Sequence, residues 1–461
     1  MDPITYTIAL GAAAAGEEDS YWIFGTEDPN NYDSSGMHVQ VDSNDNIYAT
    51  ITPTRSEHKA SNLGFGYPTV IKLDKTGAVQ LQRQLYHSSS SHADSKPSQT
   101  CADSSGNIYM TAARNGNIFE YVKLNSSGTQ QYVKTTDTAA VKFYGAKCDS
   151  SGNLLCSGES KPGSYTSGQI MKIAPSGTVT WERALRTTSP GKRTYFYDMD
   201  VDSSGNSYVT GRTRIDTGYE AFLVAKLSSS GATTWQTTFQ EIKSGYNNWG
   251  DHEGSGVSVD SSGNVFVVGK ISGIDSILMK LNSSGTIQWC TKTSGSSTMM
   301  CVAADSDGNV YTLGRQSSSP YHFIFMKFNS SGTQQWVRSF GPTGNSMRGI
   351  YYFNNILQID SNNNIIINGI YNPGYGIVVA KLPNDGSLTG THTMGSPLSP
   401  ASFVYASATV TMNSMTVSTD IDEDVPTSSE LINYDVNSTV STGDFTAGTY
   451  TANDTKLITI S

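Results

Sequence analysis

The sequence predicts an all-β chain folded as a seven-bladed β-propeller of four-stranded antiparallel blades. Three observations carry this reading. Two short patterns each occur seven times in strict alternation, the composition is that of tight turns and short strands, and an orphan strand-like segment stands near the N-terminus.

The first pattern is a β-rich segment ending in Asp, a polar turn, then Asn and a second β-rich segment. It occurs as V-D-S-N-D-N-I-Y from Val41, V-D-S-S-G-N-S-Y from Val201 and A-D-S-D-G-N-V-Y from Ala304, with four sister copies. Its aspartates are Asp42, Asp103, Asp149, Asp202, Asp260, Asp305 and Asp360, spaced 45 to 61 residues apart. The second pattern is a strand ending in Lys and an apolar residue, a Ser/Gly turn, and a strand carrying an aromatic. K-L-N-S-S-G-T-I-Q-W from Lys280 is its clearest form, and its lysines are Lys72, Lys123, Lys172, Lys226, Lys280, Lys327 and Lys381.

Turn chemistry explains the recurrence. An Asp side chain bonds backbone N–H groups two residues on, and Gly or Asn accepts the positive φ that closes the turn. D-S-S-G-N therefore joins one strand pair as a hairpin and N-S-S-G joins another. In the fifth repeat the strands are expected at Gly256–Asp260, Val265–Gly269, Ser276–Leu281 and Thr286–Thr291. Four strands per period of roughly 40 to 50 residues is the pattern of a propeller blade.

The ends of the array predict how the ring closes. Ser20–Phe24 (S-Y-W-I-F) is like Thr234–Phe239 at the end of the fourth repeat, whereas the seventh repeat ends in Gly386–Gly390 without an aromatic. The N-terminal strand, residues 20–25, is expected to complete the last blade and cover its edge. The chain then divides into a leader or anchor at 1–19, the propeller at 20–394 and a small β-rich extension at 395–461.

Composition excludes several classes. Only 15% of the 461 residues are charged, 36% are hydrophobic, and the formal net charge is −10. An acidic chain is a poor partner for nucleic acid, and no run of eighteen apolar residues suggests a membrane span. The apolar stretch Ile8–Ala15 lacks the basic flank of a signal peptide. The five cysteines, Cys101, Cys148, Cys156, Cys290 and Cys301, are odd in number and contain no C-x-x-C pair. They give neither a zinc signature nor an obvious disulfide framework and read as buried free thiols.

Topology divides the surface into two faces. Both short turns of a repeat fall at one end of the blade. The second-to-third loops and the links between blades, such as 50–68, 82–99, 182–198 and 236–255, fall at the other. Loops on a rigid scaffold are the usual place for binding. The candidate binding residues on this long-loop face are Tyr86, His87, Tyr246, Trp249, Asp251, His252, Glu253, Tyr321 and His322, whose types suit carbohydrate or protein recognition. The clusters Tyr195–Tyr197 and Tyr351–Phe353 are read first as packing into the next inner strand.

Sharper chemistry finds little footing. Asp305–Asn309 (D-S-D-G-N) opens like a calcium loop but continues into a β-strand, where that loop needs further acidic ligands. The seven aspartates and seven lysines are two strand spacings apart, and they read as structural ion pairs or turn caps. No G-x-S-x-G, phosphate-binding glycine loop or metal-ligand spacing is present. No metal, cofactor or catalysis is expected.

The repeat D-S-S-G-N-V-F-V-V-G at Asp260, with K-L-N-S-S-G-T-I-Q-W, resembles the seven-bladed propeller repeats of bacterial surface proteins. The leader Gly11–Gly16 running into Ser20–Ile23 resembles the entry to propeller domains in tail and fibre proteins of tailed phages of marine bacteria and cyanobacteria. That resemblance implies a non-enzymatic virion protein, located in the tail and present in several copies. It would contact other tail subunits through its termini and a host-surface glycan or protein through its face. A secreted bacterial surface propeller that binds glycan or protein is the alternative. The K-L-N-S-S-G-T-x-x-W strings are also similar to the tryptophan-docking motif of quinoproteins, but seven copies and no adjacent cysteines speak against a quinone. The extension 395–461, with its acidic run Asp420–Asp424, would dock the propeller to neighbours or hang as an appendage.

Overall fold

The computed structural model describes residues 21–26, 38–51, 69–87, 96–114, 118–136, 142–161, 166–187, 193–214, 220–239, 252–271, 275–293, 297–316, 319, 321–342, 347–348, 355–371, 376–387, 390–394, 401–407, 412–414, 431–435, 440–442, 445–449 and 456–460. The chain forms seven antiparallel sheets. The fourth blade shows the unit: Thr194–Val201, Ser207–Arg214, Glu220–Leu227 and Thr233–Phe239, each paired with the next. In the fifth, the strands are Glu253–Val259, Val265–Ile271, Asp275–Leu281 and Ile287–Thr293.

The inner strands pack side by side around the ring. His38–Val41 neighbours Lys96–Ala102, and the series runs through Lys142–Cys148, Thr194–Val201, Glu253–Val259 and Ser297–Ala304 to Leu357–Ile359, which meets His38–Val41 again. The seventh blade has only three strands in sequence. Its outer strand is Tyr21–Thr26, paired with Gly376–Leu382 in the register Trp22↔Lys381. Trp22 thereby stands where Trp235, Trp289 and Trp336 stand opposite Lys226, Lys280 and Lys327.

The core lies in the seams between blades. Each of seven apolar clusters draws on two adjacent blades, as where Tyr109 and Phe119 of the second pack with Phe143, Leu154 and Met171 of the third. The tryptophans of the outer strands of blades 3 to 6 reach across a seam. Trp181, Trp235, Trp289 and Trp336 donate from Nε1 to carbonyls of Ser229, Ser283, Ser330 and Asn384 in the next blade's turn, at 3.0–3.2 Å.

The repeated Asp residues act within their turns. Asp202 Oδ1 accepts from the N–H of Ser204 and Asn206, and its Oδ2 accepts from Asn206 Nδ2 and the Tyr208 hydroxyl. Asp305 does the same with Asp307, Asn309 and Tyr311, so this would-be calcium carboxylate is committed to its turn. Of the two roles expected from the sequence, the turn cap holds for all seven aspartates, whereas the ion pair does not recur in every blade among the described residues. Ion pairs form at Asp149–Lys172 and Asp360–Lys381, where the second strand holds Leu155 or Ile366 opposite the lysine. Where it holds Tyr48, Tyr109, Tyr208, Phe266 or Tyr311, the lysine instead lies over that ring at 4.9–5.3 Å. An aromatic at that one position decides the lysine's partner.

Two turns lack the usual Gly and hold Asp45 and Asn363 at φ 60° and 64°. Each uses its side chain to bind a neighbouring turn. Asp45 accepts from Ser361 of the seventh blade, and Asn363 contacts Asp307 and Ser306 of the sixth. Asn368 adds a further stitch across the 7–1 seam, donating to the carbonyls of His38 and Thr50.

The free-thiol reading fails for two cysteines. Cys101 and Cys148 form a disulfide, with Cα atoms 5.8 Å apart. Their inner strands converge toward the axis, which brings together residues separated by about one repeat. Cys156, Cys290 and Cys301 are buried thiols outside that disulfide, and burial raises their pKa values, to about 12 at the last two.

Among the described residues, the strands after residue 389 do not form a sheet of their own. Ala401–Ser407 adds to the outer strand of blade 6, with Gly390–Met394 outside it. Met412–Ser414 adds to blade 5, Leu431–Asp435 to blade 3, Val440–Thr442 to blade 2, Phe445–Thr449 to blade 1 and Lys456–Ile460 to blade 7. The chain thus returns around the circumference against the order of the blades.

Candidate functional site

The long-loop ends of blades 3 to 5 gather an aromatic and charged cluster, and a glycine in each second strand makes room for it. Gly158, Gly211 and Gly269 face an inner-strand bulge. A Cβ on Gly211 would lie 2.0 Å from the Tyr195 carbonyl oxygen, so only glycine lets the bulged strand approach. The residue after each glycine is charged: Glu159, Arg212 and Lys270.

Arg212 is the centre. Its guanidinium bonds Glu220, lies 3.5 Å from Glu253, and sits 4.9 Å and 5.7 Å from the ring centroids of Tyr195 and Tyr197. Lys270 closes on Glu253 at 3.1 Å. The Tyr195 and Tyr197 rings are stacked at 6.1 Å, and Tyr144 meets Tyr197 edge-on at 6.0 Å. The Tyr144 hydroxyl donates to Glu159 Oε1 at 2.9 Å, and Lys142 pairs with the same carboxylate at 3.3 Å.

Burial and neighbouring charges keep the Tyr144 and Tyr197 phenols neutral and the Arg212 guanidinium charged. Burial raises the Tyr144 phenol pKa, and the charge of Glu159 and its hydrogen bond add to this. Burial also raises that of Tyr197. Burial would lower the Arg212 pKa, but Tyr197, Glu220 and Glu253 outweigh it and hold it above the ordinary value. Neutral phenols, fixed carboxylates and a fixed guanidinium make a stacking and hydrogen-bonding surface that is organised in advance.

Of the residues singled out from sequence, Glu253 belongs to this cluster. It opens the inner strand of blade 5 and is buried, as is His252 before it. Tyr246, Trp249 and Asp251 lie outside the described residues. Tyr86 and His87 end the outer strand of blade 1, opposite Thr446 and Phe445. Tyr321 is exposed on blade 6 with Arg315 over its ring at 4.8 Å, and His322 lies against Gly341. The Tyr195 and Tyr197 reading was half right. Phe196 and Tyr197 are buried, while Tyr195 is half-buried under Arg212. Tyr144, Glu159, Arg212, Glu220 and Lys270 were missed. The available signal was the repeat position after Gly, charged only in blades 3 to 6 as Glu159, Arg212, Lys270 and Arg315.

Residues 184–216 match the SBBP family model, a beta-propeller repeat. The chain carries a β-propeller repeat. That stretch runs from the outer strand of blade 3 through the first hairpin of blade 4 and contains Tyr195, Tyr197 and Arg212. No curated protein matches by sequence. Similar solved structures include polysaccharide lyase Uly1, at 11% identity and TM-score 0.49, covering 76% of this chain and 90% of that one. A mutant of NanB sialidase from Streptococcus pneumoniae is similar at 11% identity and TM-score 0.41, covering 78% and 70%. A protein of unknown function from Bacteroides caccae is similar at 12% identity and TM-score 0.34, covering 58% and 89%.

Proposed function

We propose that this propeller is a non-enzymatic recognition module of a phage tail or tail fibre, holding a host-surface saccharide against the long-loop ends of blades 3 to 5. The observation that supports this reading is the Tyr195–Arg212–Glu253 array. Aromatic faces at low conformational cost, beside donors and acceptors already locked by partners, suit sugar rings, which need stacking and directed hydrogen bonds together. Each carboxylate there is engaged by a cation or a phenol, which favours positioning over proton transfer. The virion setting rests on the resemblance of the N-terminal entry segment.

A glycan array and host-cell binding assay test the reading with the whole chain, Tyr195→Ala and Tyr321→Ala. Binding by the parent and a loss of about tenfold or more in Tyr195→Ala, with an unchanged circular dichroism spectrum, is expected. Absence of binding to any surface glycan, or full binding by Tyr195→Ala, would remove it.

A further inference from the structure

The charged position after the second-strand glycine continues one blade past the cluster, to Arg315 in blade 6. Its register is that of Arg212. Arg212 stands opposite Tyr195 on the inner strand and Phe222 on the third. Arg315 stands opposite Thr298 and Phe323. Gly314 before it faces the same kind of inner-strand bulge, where a Cβ would run into the Thr298 carbonyl oxygen. Blade 6 thus presents Arg315 at its long-loop end, as blades 4 and 5 present Arg212 and Lys270.

The countercharges do not continue with it. Arg212 is matched by Glu220, two residues before Phe222, and by Glu253. Lys270 is matched by Glu253, directly opposite it on the inner strand. In blade 6 the residue two before Phe323 is Tyr321, and the residue opposite Arg315 on the inner strand is Thr298. The places that hold Glu in blades 4 and 5 are therefore uncharged here. Among the described residues Arg315 has no carboxylate partner, and its guanidinium lies over the Tyr321 ring, 4.8 Å from the centroid. Tyr321 is also the large hydrophobic side chain that stands exposed among the described residues. A guanidinium stacked by its face keeps its N–H edge for a planar anion, and a carboxylate fits that fork with two parallel bonds. An exposed phenol beside it is a platform for a sugar ring.

We propose that Arg315 and Tyr321 form an acid-sugar subsite next to the cluster of blades 3 to 5. It takes a uronate unit of the glycan, with the carboxylate on Arg315 and the pyranose ring against Tyr321. The assignment rests on the saccharide reading above and makes that glycan an acidic one. The aromatic cluster holds neighbouring sugars, and the uncompensated cation selects charge.

The test is isothermal titration of the whole chain with oligosaccharides of galacturonate, glucuronate, mannuronate and guluronate, each as the acid and as its methyl ester. The ester keeps the ring and removes the charge. The parent is expected to bind at least one acid about tenfold or more tighter than its ester, as a charge-assisted pair provides. Arg315→Gln should reduce that ratio to under about twofold with an unchanged circular dichroism spectrum, and Arg315→Lys should keep part of it. Tyr321→Ala and Tyr195→Ala should each weaken acid and ester alike. Equal affinity for acid and ester, a ratio that survives in Arg315→Gln, or no binding of any acid would overturn the subsite. Glycan binding that still depends on Tyr195 would then leave the saccharide reading in place. A ratio lost in Arg315→Gln, with affinities untouched by Tyr195→Ala, would instead keep the subsite and overturn the site on blades 3 to 5.

Discussion

Lys172 Nζ lies 2.9 Å from Asp149 Oδ2 in a nearly dry setting, with side-chain exposures of 10% and 3%. Lys280, in the blade with Phe266, instead rests over the ring and donates to the Ser330 carbonyl. Lys172→Met leaves a buried carboxylate without its cation and is expected to cost about 3 kcal/mol. Lys280→Met is expected to cost under about 1 kcal/mol. Urea unfolding of the two variants checks the contrast, and equal effects would refute the role assigned to Leu155 and Phe266.

The seam between blades 4 and 5 depends on a glycine. Gly285 has φ 83°, and a Cβ there would lie 2.8 Å from the Trp235 ring. Gly285→Ala combines left-handed strain with overpacking and is expected to cost about 2–4 kcal/mol. Trp235→Phe keeps the packing and loses the bond to Ser283, for about 1 kcal/mol. Thermal melts of both variants give the order.

Asp198 makes stability depend on pH in an unusual direction. Burial raises its pKa to about 7, against the lowering effects of the Val257 N–H and Lys147. The folded state keeps a proton that the unfolded chain releases, starting near its ordinary value of about 4. Its contribution is therefore complete below about pH 4 and is lost as pH rises through about 7. Asp149 and Asp202 have lowered values. Burial opposes the shift, but bonds from Lys172 and Asn153 to the first, and from Asn206 and Tyr208 to the second, outweigh it. They lose their contribution as pH falls below about 4. Asp198→Asn still accepts the Val257 N–H, and it should flatten the fall in melting temperature between about pH 4 and 7. An unchanged slope would exclude Asp198 as the source.

The closing strand is held on both edges. Ile458 of the last strand stands opposite Ile23, which in turn faces Ala380. Ile458→Pro removes a strand N–H and is expected to raise amide exchange in Tyr21–Thr26 at least tenfold, while the inner strands of blades 2 to 6 stay protected. Unchanged exchange at the N-terminal strand would mean that the last strand does not hold it.

The repeated residues were readable because their roles are local. Asp202, Gly205 and Asn206 build one hairpin, and any chain with this spacing must form it. Trp22 was readable as an outer-strand residue because its neighbours repeat a known strand. The candidate site was less legible. Tyr144, Arg212 and Glu253 are 41 or more residues apart in sequence, and they meet because bulges at glycines turn the starts of three inner strands toward one another. The Cys101–Cys148 bond escaped for the same reason, since the inner strands of blades 2 and 3 meet only when the two blades pack side by side.

The sequence by itself determined the number of blades, the two turns in each, the identity of the closing strand and the division into a short-turn and a long-loop face. These follow from backbone preferences and strand periodicity, which act over a few residues. The tertiary structure alone decided which lysine meets an aspartate and which an aromatic, which charges share a site, and that the C-terminal run encircles the ring. Those outcomes depend on register and on seams between blades, where residues far apart in the chain compete for the same neighbour.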